Sequence, residues 1–206
     1  MKYQAFKRFL DFILSLLALC VLSPVLAAVS LSVKFDSKGP VLFRQRRVGK
    51  NKTYFEMLKF RTMRTDTPKD MPTHLLENPD AFITKVGSFL RKTSLDELPQ
   101  LINILKGEMS IVGPRPALWN QFDLVEEREK YGANDLRPGL TGWAQVNGRD
   151  ELEIPVKAKF DGEYVQKMSF LFDLKCVLKT ALGVIKKDGV VEGGTGALKA
   201  KNGEQK

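Results

Sequence analysis

A chain of 206 residues is large enough for one domain with its own core and too small for two comfortable ones. Its 33 lysines and arginines against 24 acidic residues leave a net charge of +9, which draws phosphate-bearing partners without choosing among nucleic acid, nucleotides and anionic lipid. Two distant cysteines, Cys20 and Cys176, exclude a disulfide framework and fit a reducing compartment, while the sole histidine, His74, excludes a His-based zinc site, a Ser-His-Asp triad or a Cys-His pair within one chain. Any acid, base or nucleophile therefore comes from carboxylates, lysines or hydroxyls.

From Phe12 to Val33 no side chain is charged, and the run is bounded by Asp11 and Lys34. This is close to the ~20 residues that cross a bilayer as one helix. It exceeds the apolar core of a cleavable signal peptide, and its basic C-terminal flank argues for retention. Ser23-Pro24 lies at its midpoint, where proline removes a backbone donor and a bend is expected. Both flanks are cationic, with Lys2, Lys7 and Arg8 before and Lys34, Lys38, Arg44, Arg46 and Arg47 after, so neither end favours translocation. A re-entrant helix broken at Ser23-Pro24 satisfies both observations; a straight spanning helix with a tolerated proline fits as well on these grounds alone.

Downstream, residues 41–43 and 54–60 read as two short strands around Gly49-Lys50-Asn51. Asp66 to Asp80 is a polar, proline-containing loop. Helices are expected over Phe82–Arg91, from Ser94 to about Lys106, over Pro116–Tyr131, over Val156–Met168 and over Phe170–Lys187, the last amphipathic and basic. Ser94-Leu95-Asp96-Glu97 has the spacing of a capping box at the start of the second. The expected fold is mainly α with a small β-hairpin: a membrane helix over 1–35, a membrane-surface catalytic domain with amphipathic helices over 36–187, and a flexible, glycine- and lysine-rich tail over 188–206.

Asp96 and Glu97 alone are explained by helix capping and the helix dipole. Their neighbours point to chemistry. Pro99 stiffens the helix start, where free amides favour phosphate. Gly113-Pro114-Arg115-Pro116 fixes an arginine between two prolines and Arg137-Pro138-Gly139 sets a second one before a proline, and such rigid arginines suit bidentate phosphate recognition. The segment Thr141–Arg149 mixes glycines, Trp143, the amides Gln145 and Asn147, and Arg149, a binding-loop composition. Lys59 and Arg61 add two cations to the second strand.

Lys59-Phe60-Arg61-Thr62-Met63, Ser94–Gln100, Gly113–Pro116 and Arg137–Arg149, in this order, resemble the small monotopic phosphoglycosyl transferases that initiate bacterial glycan assembly. The resemblance runs from the membrane segment to about Lys187 and extends to the catalytic domain of the larger bacterial sugar transferases. It implies a re-entrant helix broken at Ser23 and Pro24, and an active site at the cytoplasmic face of the bacterial inner membrane. It implies that Asp96 and Glu97 form the catalytic dyad. Asp96 would attack the sugar-proximal phosphate of a UDP-sugar, UMP would leave, and polyprenol (undecaprenyl) phosphate would collect the sugar phosphate from the enzyme.

Magnesium is implied as cofactor, with Asp96 or Glu97 as ligand, and Glu97 would position or deprotonate the lipid phosphate. By the same resemblance, substrate is bound by Pro114, Arg115 and Arg137, helped by Lys59, Arg61, Arg91, Gln145 and Arg149. Asp161 falls where the family has an acidic residue near the site, although Gly162 beside it departs toward flexibility. Expected partners are the donor, the acceptor and membrane lipid, without nucleic acid, and with room for a homodimer or association with downstream glycosyltransferases. The competing reading is a non-catalytic, membrane-tethered basic module that binds anionic lipid or nucleic acid and uses the dyad only as a cap.

Overall fold

A computed structural model describes residues 2–67, 81–148 and 152–186. The expected tail, Arg149 and residues 68–80 of the expected loop lie outside the described residues. The first helix, α1 (Lys2–Asp36), is continuous with Pro24 inside it. Proline at 24 deprives the Cys20 carbonyl of its helical donor, and the Ser23 hydroxyl donates to that oxygen at 2.8 Å. A 34-residue stretch of α1 has a mean hydropathy of 2.6 in its most apolar window, of which 11% is buried, so this is not the core helix of a soluble domain.

Contacts to the rest of the chain lie on both sides of Pro24. Toward the N-terminus, Tyr3 Oη and Lys7 Nζ donate to Asp173 at 2.6 and 2.7 Å. Arg8 donates to the Ile104 and Leu105 carbonyls, and Asp11 accepts from Ser110 Oγ at 2.7 Å and Ile111 N at 3.1 Å. Midway, Ala18, Leu19 and Leu22 pack on a core of Phe55, Met57, Leu101, Ile104 and Met109. Toward the C-terminus, Val29 and Val33 share a core with Phe60 and Leu90, and Asp36 accepts from Val86 N at 3.2 Å.

Strands β1 (Leu42–Val48) and β2 (Tyr54–Phe60) form the expected antiparallel hairpin, in register from Leu42 opposite Phe60 to Val48 opposite Tyr54. Its first strand runs further than the apolar triplet 41–43 suggested, because a half-exposed strand tolerates Arg44, Gln45, Arg46 and Arg47. The turn passes through Asn51 and Lys52 at positive φ. Helix α2 (Lys85–Thr93) is capped by Thr84, whose hydroxyl accepts from Gly87 N at 3.0 Å. Helix α3 (Gln100–Lys106) ends on Gly107 in the left-handed region, as expected.

The capping box at Ser94 does not form. Ser94 closes α2 in the left-handed conformation at φ 56, with its amide on the Arg91 carbonyl, and its side chain makes no capping bond. A box needs an extended residue there, and one residue cannot terminate α2 and open α3 in both conformations. A 3₁₀ turn over Leu95–Glu97 intervenes, and Pro99 opens α3.

A second sheet was not foreseen: β3 (Ser110–Val112) and β4 (Gly139–Thr141) pair in parallel. Three-residue strands carry too little periodicity to be read from sequence. Helix α4 (Phe122–Glu129) is shorter than the expected Pro116–Tyr131, because the Pro116 carbonyl accepts from Arg47 and the Ala117 carbonyl from Val48 N, so the chain is extended there. Helices α5 (Ile154–Lys167) and α6 (Phe170–Lys186) follow expectation. The outer side of α6 exposes Leu171, Leu174, Leu178 and Leu182, while Asp173 and Cys176 face inward.

Asp161 of α5 is 1% exposed and receives Arg128 of α4 at 2.8 Å from Nε and 2.7 Å from Nη2. Burial pushes this carboxyl above its ordinary value, and Arg128 pulls against the shift. Gly162 is not there for flexibility: a Cβ would lie 2.7 Å from the Tyr131 side chain, so glycine lets α5 close on that ring. Breaking the buried pair with Asp161→Asn should lower stability by about 3–5 kcal/mol, read as a lower denaturation midpoint of the detergent-solubilised protein.

Candidate active site

The turn between α2 and α3 presents two adjacent carboxylates. Asp96 is 4% exposed, and the side chain of Glu97 is 19% exposed. Lys59 of β2 places Nζ 2.8 Å from Glu97 Oε1 and 4.0 Å from Asp96 Oδ2. Arg115 reaches within 3.8 Å of the same Glu97 oxygen from the segment after β3. Two acids and two cations from three separate stretches of chain thus meet at a partly dry surface, where charges act on one another more strongly than in water.

Each member is held from behind. Asn103 on α3 is fully buried; its amide donates to the Glu56 carbonyl at 2.8 Å and its oxygen accepts from Leu58 N at 3.0 Å. The carboxamide thereby completes the open edge of β2 and sets α3, with the dyad ahead of it, against Lys59. Arg115 sits between two anchored prolines: the Pro114 carbonyl accepts from Gly139 N at 2.8 Å and the Pro116 carbonyl from Arg47 Nη1 at 2.9 Å. Behind it the backbones of Gly113 and Gly142 are in contact, since a Cβ on Gly142 would fall 2.0 Å from the Gly113 oxygen.

The other residues singled out in sequence are placed elsewhere. Arg61 is 5% exposed and donates to the carbonyls of Val33, Ser37 and Lys38, closing the C-terminal end of α1. Arg91 donates to Thr62 Oγ1 at 3.0 Å and contacts Met63 Sδ at 3.2 Å, tying α2 to the chain beyond Lys59. Arg137 gives Nε to the Gly107 carbonyl at 2.8 Å, at the far end of α3 from the dyad. Gln145 Nε2 donates to the Leu140 carbonyl at 3.0 Å, while its buried Oε1 has no partner among the described residues. Asp161 lies in the α4–α5 seam, and Ser23 and Pro24 lie in α1.

Trp143 is pinned rather than free. Its ring is 4.8 Å from Phe172, Nε1 donates to Glu163 at 2.8 Å, and Lys175 and Lys179 lie over its face. Burial pushes the Cys176 thiol up to about 11, which leaves it protonated and unreactive at neutral pH. Sequence reasoning missed Arg8, Asp11 and Asn103. The first two were read only as flanking charge, and the signal for the third was an amide between the apolar Leu101 and Ile104 on a short helix.

Among the described residues no group of three or more His, Cys, Asp or Glu side chains could by itself hold a metal. The pair Asp96 and Glu97 nevertheless fits magnesium, which is commonly bound by one or two carboxylates and completes its shell with substrate phosphate and water.

The family model described as bacterial sugar transferase matches residues 2–187. The exopolysaccharide production protein ExoY of Sinorhizobium fredii is 41% identical over 188 residues, covering 84% of this chain and 83% of that protein. The UDP-glucose:undecaprenyl-phosphate glucose-1-phosphate transferase of Escherichia coli is 45% identical over 181 residues, covering 84% of this chain but 39% of that protein. The undecaprenyl-phosphate glucose phosphotransferase of Komagataeibacter xylinus is 42% identical over 185 residues, and the chain spans 35% of its length.

Replacing Gly142 by alanine forces the β4 loop away from Gly113 and should displace Arg115. The expected outcome is a denaturation midpoint several degrees lower, with a loss of donor affinity at temperatures where the variant stays folded, measured by thermal unfolding and titration with a UDP-sugar.

Proposed function

The chain belongs to the bacterial sugar transferase family, and on that premise we propose that it moves a sugar 1-phosphate from a UDP-sugar to polyprenol phosphate through an aspartyl-phosphosugar intermediate. The observation that carries this reading is the meeting of Asp96, Glu97, Lys59 and Arg115 at one partly buried surface. In the first step an Asp96 oxygen attacks the sugar-proximal phosphorus, the bond from that phosphorus to the bridging oxygen breaks, and UMP leaves with the electron pair. In the second, a phosphate oxygen of the lipid attacks the same phosphorus, and the Asp96 carboxylate is released. The products are polyprenol-diphosphate-sugar and UMP.

Splitting the transfer in this way lets one site serve a soluble donor and then a lipid acceptor. Glu97 takes the shorter contact to Lys59, 2.8 Å against 4.0 Å for Asp96, which favours Asp96 as nucleophile and Glu97 as the group that orients Lys59 and the incoming lipid phosphate. Lys59 and Arg115 bind phosphoryl oxygens and offset charge on them. Asp96 and Glu97 would also hold magnesium, which when bound supplies positive charge to the diphosphate. UDP-glucose is the first donor to test, since two relatives are named for glucose phosphate transfer.

We further propose that α1 enters and leaves the membrane on the same side. A crossing of the ~30 Å hydrocarbon layer would part the two ends of the segment. Yet Tyr3 to Asp11 and Val33 to Lys38 grip the same domain on either side of Pro24. Cationic flanks on both sides favour the cytoplasmic face of the inner membrane.

Detergent-extracted protein given UDP-glucose, magnesium and undecaprenyl phosphate should release UMP. Asp96→Asn should lower that rate about 10³-fold or more, and Glu97→Gln about 10²-fold. Without acceptor, intact-mass analysis should show a hexose-phosphate adduct that Asp96→Asn abolishes. Turnover at the normal rate in Asp96→Asn would remove the nucleophile from this account, and a basic module that only binds lipid would release no UMP.

A further inference from the structure

A second concentration of positive charge lies at the other end of α3. There a cleft is walled by Lys7, Arg8 and Asp11 of α1, by Lys50 of the hairpin turn, and by Asp135 and Arg137 ahead of β4. Lys7 is matched by Asp173 at 2.7 Å. Arg8 caps the Ile104 and Leu105 carbonyls, and Arg137 donates Nε to the next free carbonyl, that of Gly107, so two guanidiniums converge on one helix end as like charges. The helix dipole offsets part of that charge and no more. Nη1 and Nη2 of Arg137, and Nζ of Lys50, have no partner among the described residues. Of the two acids in the wall, Asp11 is committed to Ser110 and Ile111, and Asp135 is exposed at the rim.

The cleft also borders the apolar surface. The turns of α1 that supply Lys7 and Arg8 expose Phe6 and Phe9 at 51% and 62%, and the chain after Met168, another wall residue, exposes Phe170 and Leu171 at 51% and 74%. Cations in a recess beside exposed aromatic and aliphatic side chains suit a ligand with a phosphate at one end and acyl chains at the other. The resemblance stated above gives Arg137 a substrate phosphate. The structure places it past the last turn of α3, about 10 Å from the start of that helix.

We propose that this cleft binds the phosphate of an anionic membrane lipid, held by Lys50 and Arg137 beside the positive charge of Arg8 and separate from the Asp96 site. A lipid there would strap α1, the hairpin turn and the carbonyl end of α3 to the headgroup layer. The ligand chemistry is an anionic phosphate group, and its source, lipid or free ion, is separated by the choice of probe.

The test uses the full chain in neutral detergent and reads thermal unfolding with dioctanoyl phosphatidylglycerol, dioctanoyl phosphatidylcholine or inorganic phosphate at equal concentrations. Phosphatidylglycerol should raise the midpoint, and the other two should not. Lys50→Glu should weaken the apparent affinity for phosphatidylglycerol about tenfold or more, and Arg137→Gln, which keeps a donor for Gly107, should do likewise. Native mass spectrometry should show the same loss of retained anionic lipid, which gives a reading even where a variant unfolds early. Asp96→Asn should keep the full rise, so failure of the catalytic reading and failure of this one are told apart. An equal rise with phosphatidylcholine or with inorganic phosphate, or an undiminished rise in both Lys50→Glu and Arg137→Gln, would overturn the lipid site.

Discussion

The buried carboxamide of Asn103 joins the two parts that any chemistry here requires. It supplies the missing partners of Glu56 and Leu58 on the open edge of β2, so α3 cannot slide along the hairpin without leaving buried amides unsatisfied. Because Lys59 is the residue after Leu58 and the dyad lies just ahead of α3, this one clamp brings Lys59 to Glu97. Packing alone would hold the helix near the hairpin; the hydrogen bonds set where along it.

α3 is also the element on which the membrane segment acts. Its apolar side shares a core with Ala18, Leu19 and Leu22 of α1, and its last carbonyls are taken by Arg8. The other end of α1 is closed by Arg61, two residues after Lys59. The long apolar helix is therefore bonded to both sides of the Asp96-Glu97 turn. The proposed reaction between a soluble nucleotide sugar and a lipid phosphate needs a site at a fixed height over the membrane, and these bonds between α1 and the turn would supply one.

Charge is distributed with the same economy of parts. Several of the cations singled out by sequence are engaged by the protein itself: Arg61 by carbonyls, Arg91 by Thr62 and Met63, and Arg137 Nε by the Gly107 carbonyl. A guanidinium is well suited to such work because its fork meets several oxygens at once. The two places proposed here for external phosphate are at opposite ends of α3, with Lys59 and Arg115 beside Glu97 at its start and Arg137 and Lys50 past its end.

Local pattern was enough to read the apolar segment, the hairpin, the last two helices and the chain neighbours Asp96 and Glu97, because each depends on residues within a few positions of one another. The ordered motifs were also enough to point to the family. The parallel pair β3–β4 and the extended run before α4 could not be read, since both are made by hydrogen bonds between segments about 30 to 70 residues apart. Tertiary structure alone decided that Ser94 ends a helix instead of starting one, that Arg61 meets the carbonyls at the end of α1 and Asp161 meets Arg128, and that Arg115, not Arg137, stands beside Glu97. The reason is physical: arginine binds a carbonyl, a carboxylate or a phosphate by the same geometry, and only the packed chain determines which oxygen is within reach.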